Sequence, residues 1–242
     1  MKKILAIGNS FSQDATALIE KLTDKLFVRN LYIGGCSLSQ HAELLKSDRK
    51  EYEYQKDGEK CISEAVSLGE ALSFEQWDYI TIQQVSGLSG ILESYYPYIK
   101  ELIGYVRKHS EAEIVFHQTW TYEQGSKHND FEKYEFSRDT MWKAIHQATE
   151  EVCKKEVLRM IPTGKVVAKL SNSQFFDVGK RAESLYRDGF HLSLGYGRYV
   201  ASCVWIKFFT GNLPEIVDID LKGEFKIINS VFKHNLKVVG NI

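Results

Sequence analysis

The sequence predicts a parallel α/β sheet covered on both faces by helices. Three observations carry that expectation. Short apolar runs recur along the chain, each closed by glycine or polar residues and followed by a segment of helical periodicity. Five strands alternate with helices in this way, and strands buried on both faces read as such nearly continuous apolar runs. Only three prolines occur, with no repeat, low-complexity linker or Ser/Pro-rich joint, so residues 1–242 are expected to form one domain.

The first strand is Ile4-Leu5-Ala6-Ile7, which stops at Gly8-Asn9-Ser10-Phe11-Ser12 and leads into a helical segment over 15–22. A strand feeding a tight turn puts Ser10 at the carboxyl end of the strand, where sheets of this kind bind ligands. Ser10 or Ser12 can equally serve as a helix N-cap. Residues 27–33 are rich in β-branched and aromatic side chains and form the second strand. Gly34-Gly35-Cys36-Ser37 breaks it before a helix that starts at Ser37 or Ser39.

Around residues 51–62, alternating runs flank Asp57-Gly58, a hairpin signal. The segment is too short for a core of its own and reads as an excursion from the main sheet. A short helix over 64–72 precedes strand three, 77–84, which ends in Gln83-Gln84. A loop at 86–90 follows, then a helix over 95–108 with Pro97 in its first turn. Strand four covers 112–117, a long helix 137–155, strand five 157–161 and a further helix 166–170. The last helix runs from Leu194 to a stop at Gly211.

Composition narrows the function. Hydrophobic residues make up 43% and charged residues 26% of 242, ordinary for a soluble globular protein. A formal charge of −1 gives no reason to expect nucleic acid or an anionic membrane as partner. The cysteines at 36, 61, 153 and 203 have no metal or disulfide-framework spacing, and no cofactor or metal is expected. No apolar stretch approaches a membrane span. Met1-Lys2-Lys3 imitates the basic start of a secretory signal, but the apolar run ends at Gly8, too soon for one. The numbering as it stands suggests a cytoplasmic location; a periplasmic or secreted one would require a leader removed upstream.

Chemistry collects at Asp188-Gly189-Phe190-His191, just before the last helix. An aspartate three residues ahead of a histidine can hold one imidazole nitrogen and leave the other as a base. A serine hydroxyl needs such a base, because almost none of it is alkoxide at neutral pH.

With Ser10 in a Gly-x-Ser turn, these residues resemble the SGNH hydrolases, or GDSL-type esterases and lipases. Gly8-Asn9-Ser10-Phe11-Ser12 corresponds to the first block, with Asn9 where aspartate is usual. Gly35 matches the second block, and Asp188 with His191 the last. The resemblance implies a flavodoxin-like three-layer α/β/α sandwich with a five-stranded parallel sheet. It also implies Ser10 as nucleophile, a Ser10–His191–Asp188 triad and an oxyanion hole built from the N–H groups of Ser10 and Gly35.

The third block departs. Where the family has Gly-x-Asn-Asp, this chain reads Gln83-Gln84-Val85-Ser86-Gly87, and the asparagine position falls on or near Gly87. Gln84, or Gln83, is the expected substitute donor. Asn9 and Trp120 are candidate cleft residues, the tryptophan as an aromatic wall for a sugar ring. The expected activity is hydrolysis of a carboxylic ester, an O-acetyl or short acyl group that can be carbohydrate-linked. The rival expectation is a catalytically decayed binding protein of the same fold, supported by the unusual third block. Cleft shape depends on the loops after residues 87, 120 and 175. Neither the acyl group nor the oligomeric state is legible in the sequence.

Overall fold

The computed structural model describes residues 1–173, 176 and 184–214. Its centre is a seven-stranded sheet. In chain order the strands are β1 (Lys2–Gly8), β2 (Leu26–Tyr32), β3 (Tyr52–Lys56), β4 (Lys60–Val66), β5 (Tyr79–Ile82), β6 (Glu113–His117) and β7 (Arg159–Ile161), arranged β4-β3-β2-β1-β5-β6-β7. The five strands β2, β1, β5, β6 and β7 are mutually parallel, in the flavodoxin-like order. The two extra strands come from the hairpin around residues 51–62. It is not an excursion from the sheet: β3 pairs antiparallel with β2 and extends it, through Asn30 opposite Gln55 and Leu31 opposite Tyr54. The unpaired edge of β2 is thereby covered.

Strand alternation sorts the core onto two faces. Ile4 and Ala6 of β1 face one apolar cluster, with Val28, Val115 and Ile161. Leu5 and Ile7 face the other, with Leu31, Ile80, Ile82 and Phe116. Helices α1 (Ser10–Thr16), α2 (Ile19–Leu22), α7 (Thr163–Ser171) and α8 (Tyr196–Thr210) cover the first face. Helices α3 (Leu38–Leu45), α4 (Leu68–Ser73) and α5 (Tyr98–His109) cover the second, and α6 (Arg138–Glu156) contributes to both clusters.

Local chemistry explains most boundaries. Ser37 caps α3 in a reciprocal box with Gln40, and Ser67 caps α4 with Glu70. The helix expected over 64–72 starts later, at Leu68, because residues 60–66 are claimed by β4 as the hairpin's second strand. Pro97 is the N-cap of α5 and not part of its first turn. Gly211 ends α8 with φ +78°. Register then aligns the carboxyl ends: Gly8 lies opposite Tyr32, and Ile7 opposite Ile82. The turns after β1, β2, β5 and β6 therefore leave the sheet at one edge.

Candidate active site

Ser10 opens α1 because Asn9 caps it. The Asn9 backbone is extended, and its Oδ1 accepts the Phe11 N–H at 3.0 Å. Ser10 is thus the first helical residue, and its N–H has no acceptor within the helix. Ser12, the alternative cap, is buried inside the helix and its Oγ donates to the Asn9 carbonyl at 2.8 Å.

The second component is a closed turn. Tyr186 bridges Leu192 in antiparallel fashion, and the Arg187 N–H donates to the His191 carbonyl at 3.0 Å. Asp188 Oδ1 accepts the N–H groups of Phe190 and His191, at 3.2 and 2.8 Å. Its Oδ2 holds His191 Nδ1 at 2.7 Å, and His191 Nε2 lies 2.8 Å from Ser10 Oγ. Burial pushes the Asp188 carboxyl up. The hydrogen bonds from the His191 ring, the His191 N–H and the Phe190 N–H outweigh it and hold the group below its ordinary value. A carboxylate on Nδ1 keeps the proton there, so Nε2 is the acceptor that faces the serine hydroxyl.

Gly35 follows β2 with φ +63°, solvent-exposed, and among the described residues no acceptor faces its N–H. Its loop is tied to the Ser10 turn: Asn9 Nδ2 donates to the Cys36 carbonyl at 3.0 Å, and the Ile33 N–H to the Gly8 carbonyl at 3.3 Å. Two N–H donors thus stand on neighbouring strand ends.

Gln84 does not join them. Its Oε1 accepts the N–H groups of Leu38 and Val85, and its Nε2 donates to the carbonyl and hydroxyl of Ser94. Both amide protons are used away from Ser10, so the expected donor is a buried tie between loops. The space beside Gly87, the position aligned with the missing asparagine, is filled from elsewhere. A Cβ there would collide with Asp130 Oδ2, and Asp130 pairs with Lys133.

Asn9 and Trp120 are not cleft walls either. Asn9 is 1% exposed, with both side-chain polar atoms engaged. Trp120 is fully buried, stacked on Phe11 at 4.2 Å, with its Nε1 donating to the Phe190 carbonyl. The indole supports the helix and turn from beneath. The loop after residue 175 falls largely outside the described residues.

A buried relay unseen in the sequence lies under the Ser10 turn. The Phe11 N–H fixes Asn9 Oδ1 as an acceptor, so Gln83 Nε2, 2.8 Å away, donates to it as well. Gln83 Oε1 then faces His117 Nδ1 at 2.9 Å, which carries the proton, and His117 Nε2 accepts from Thr163 Oγ1 at 3.1 Å. Burial pushes His117 down to about 3. Its place at a strand's carboxyl end was the only sequence signal. His41 is likewise buried, pushed down to about 4, with Nδ1 2.8 Å from Tyr52 OH and 3.5 Å from Cys36 Sγ. Burial raises the Cys36 thiol to about 12, which keeps it protonated and inert.

The fold is an α/β/α sandwich of SGNH-hydrolase-like architecture. More particularly, a profile described as "Domain of unknown function (DUF4886)" matches residues 3–217, and the chain belongs to that family. A crystal structure of a DUF4886 family protein from Bacteroides uniformis is 32% identical, with a TM-score of 0.82 over 98% of this chain and 95% of that one. A protein from Slackia heliotrinireducens described as a candidate SGNH hydrolase shares 21% identity, with a TM-score of 0.60 over 86% and 98%. Axe2, an acetylxylan esterase from Geobacillus stearothermophilus, shares 11%, with a TM-score of 0.54 over 89% and 97%. At these lower identities the likeness is one of fold. No curated protein matches the sequence significantly. No described helix is long and apolar enough to cross a membrane.

Proposed function

We propose that the chain is a single-domain serine esterase of the SGNH type, hydrolysing a carboxylic ester through a Ser10–His191–Asp188 triad. The observation that carries this reading is the continuous line from Asp188 Oδ2 to His191 Nδ1, 2.7 Å, and from His191 Nε2 to Ser10 Oγ, 2.8 Å. Ser10 Oγ attacks the ester carbonyl as Nε2 takes its proton, and Asp188 stabilises the imidazolium that forms. The N–H groups of Ser10 and Gly35 receive the oxyanion. His191 returns the proton to the leaving alcohol, and water, activated in the same way, releases the acid from the acyl-enzyme.

An acetyl or short acyl group, carbohydrate-linked, is the proposed substrate class. The acetylxylan esterase of the same fold supports it, while Gln84, tied to Ser94, is lost to the donor set. That loss is also what favours the second reading, a decayed binding protein for a carbohydrate or small ligand. Removing one oxyanion donor costs on the order of 10²–10³ in rate, so a two-donor hole lowers activity without abolishing it.

The two readings separate with p-nitrophenyl acetate and a panel of acetylated sugars, beside labelling by an organophosphonate. The esterase reading expects turnover and labelling, both lost in Ser10→Ala. Hydrolysis that survives that substitution unchanged, or a chain that neither turns over nor labels, rejects it.

A further inference from the structure

The triad spans two elements far apart in the chain, and one buried carboxylate joins them. Asp14 lies four residues after Ser10 on α1, hence one helical turn along the same face. Its side chain is fully buried. Arg187 Nη1 donates to both of its oxygens at 2.9 Å, Arg198 Nε to Oδ1 at 2.9 Å, and the Leu192 N–H to Oδ2 at 2.9 Å. The lone-pair sites of the carboxylate are thereby filled.

The partners are what matter. Arg187 and Leu192 are the two stems of the turn that carries Asp188 and His191, and Arg187 Nη1 also donates to the Leu192 carbonyl. Asp14 therefore grips both stems from the helix whose first residue is Ser10. Arg198, on α8, reaches past Asp14 to Glu59, with Nη1 and Nη2 each 3.2 Å from a carboxylate oxygen. Glu59 follows Gly58 at the hairpin turn. A carboxylate placed only for stability has no need to hold the two ends of one six-residue turn and the nucleophile helix at once.

We propose that Asp14 is a positioning residue of the site: through Arg187 and the Leu192 N–H it sets His191 against Ser10, with Arg198 and Glu59 bracing it. This rests on the esterase reading for its kinetic consequence, but its geometric content does not. A misplacement of about 1 Å between reacting groups can cost on the order of 10² in rate without loss of substrate binding.

The test compares Asp14→Asn, Arg187→Met and Arg187→Lys with the wild-type full chain. It measures kcat and KM on p-nitrophenyl acetate, and the deshielded Nδ1 proton of His191 by NMR. Near-UV circular dichroism checks packing. The expected results are kcat lower by about 10²-fold in Asp14→Asn and Arg187→Met, with KM within about twofold. The Nδ1 resonance should be shifted or exchange-broadened, and Arg187→Lys should restore part of both. Folded variants with wild-type kcat and an unchanged Nδ1 resonance overturn the proposal. If Asp14→Asn fails to fold, Arg187→Met decides, since its side chain is partly exposed. If the wild type hydrolyses no ester, the esterase reading fails alone, and the Nδ1 resonance still judges the clamp without turnover.

Discussion

At the scale of single residues, the distinction that matters is between a side chain near the site and one with atoms free to act there. Gln84 has none free. It satisfies the N–H groups of Leu38 and Val85 and spends its own amide on Ser94. Gln84→Ala would leave buried donors unpaired at about 1–3 kcal/mol each, and a chain of this size loses roughly 2–4 °C in Tm per kcal/mol. The expected outcome is a fall of roughly 4–24 °C in thermal unfolding, with kcat on p-nitrophenyl acetate reduced less than tenfold. A kcat loss of 10²-fold at unchanged Tm would return Gln84 to the oxyanion hole. The sequence could not make this distinction, because a glutamine at a strand end looks the same whether its amide points at a substrate or at Ser94. Ser10, Asp188 and His191 were legible because the turns that present them are local: a Gly-x-Ser closing a strand, and an Asp-x-x-His whose carboxylate bonds its own turn.

Elements bring together what spacing keeps apart. The hairpin of β3 and β4 was readable from Asp57-Gly58, but its joining the sheet was not, since pairing with β2 depends on an edge that only the assembled sheet defines. Its turn is pressed against α1. Gly58 has φ +79°, a Cβ there would meet the Gln13 carbonyl oxygen at 2.6 Å, and the Gly58 carbonyl accepts Asn30 Nδ2. Gly58→Ala combines a left-handed backbone, about 1–2 kcal/mol, with an overpacked contact of about 1–3 kcal/mol. Urea unfolding should show a loss of about 2–5 kcal/mol at unchanged m. Activity should fall as well, because the same turn carries Glu59 to Arg198. A variant as stable as wild type would mean that the hairpin floats free of α1. Asp14 and Arg198 escaped the sequence reading for the same reason: 184 residues separate them, and only the packing of α1 against α8 makes them partners.

Over the whole molecule, the buried imidazoles make stability depend on pH in a direction that can be worked out. His117 and His41 are neutral in the folded state, with burial lowering them to about 3 and about 4. In the unfolded chain each returns to roughly 6.5. Between those limits the unfolded state binds more protons, so the free energy of unfolding rises with pH. Stability is fully present above about pH 6.5 and is lost on acidification, at about 1.4 kcal/mol per pH unit for each histidine. By pH 5 each has cost about 2 kcal/mol. The Asp188 contribution has the same sign but is lost only as the pH falls below the ordinary carboxylate value, so it does not enter a comparison of pH 7 with pH 5. His117→Gln isolates one share. The glutamine amide can donate to Gln83 and accept from Thr163 as the imidazole does, but it does not titrate. Denaturant unfolding at pH 7 and pH 5 should show the variant losing about 2 kcal/mol less than wild type. Parallel losses would mean that His117 protonates in place, and that the relay from Thr163 to Asn9 does not require a neutral ring.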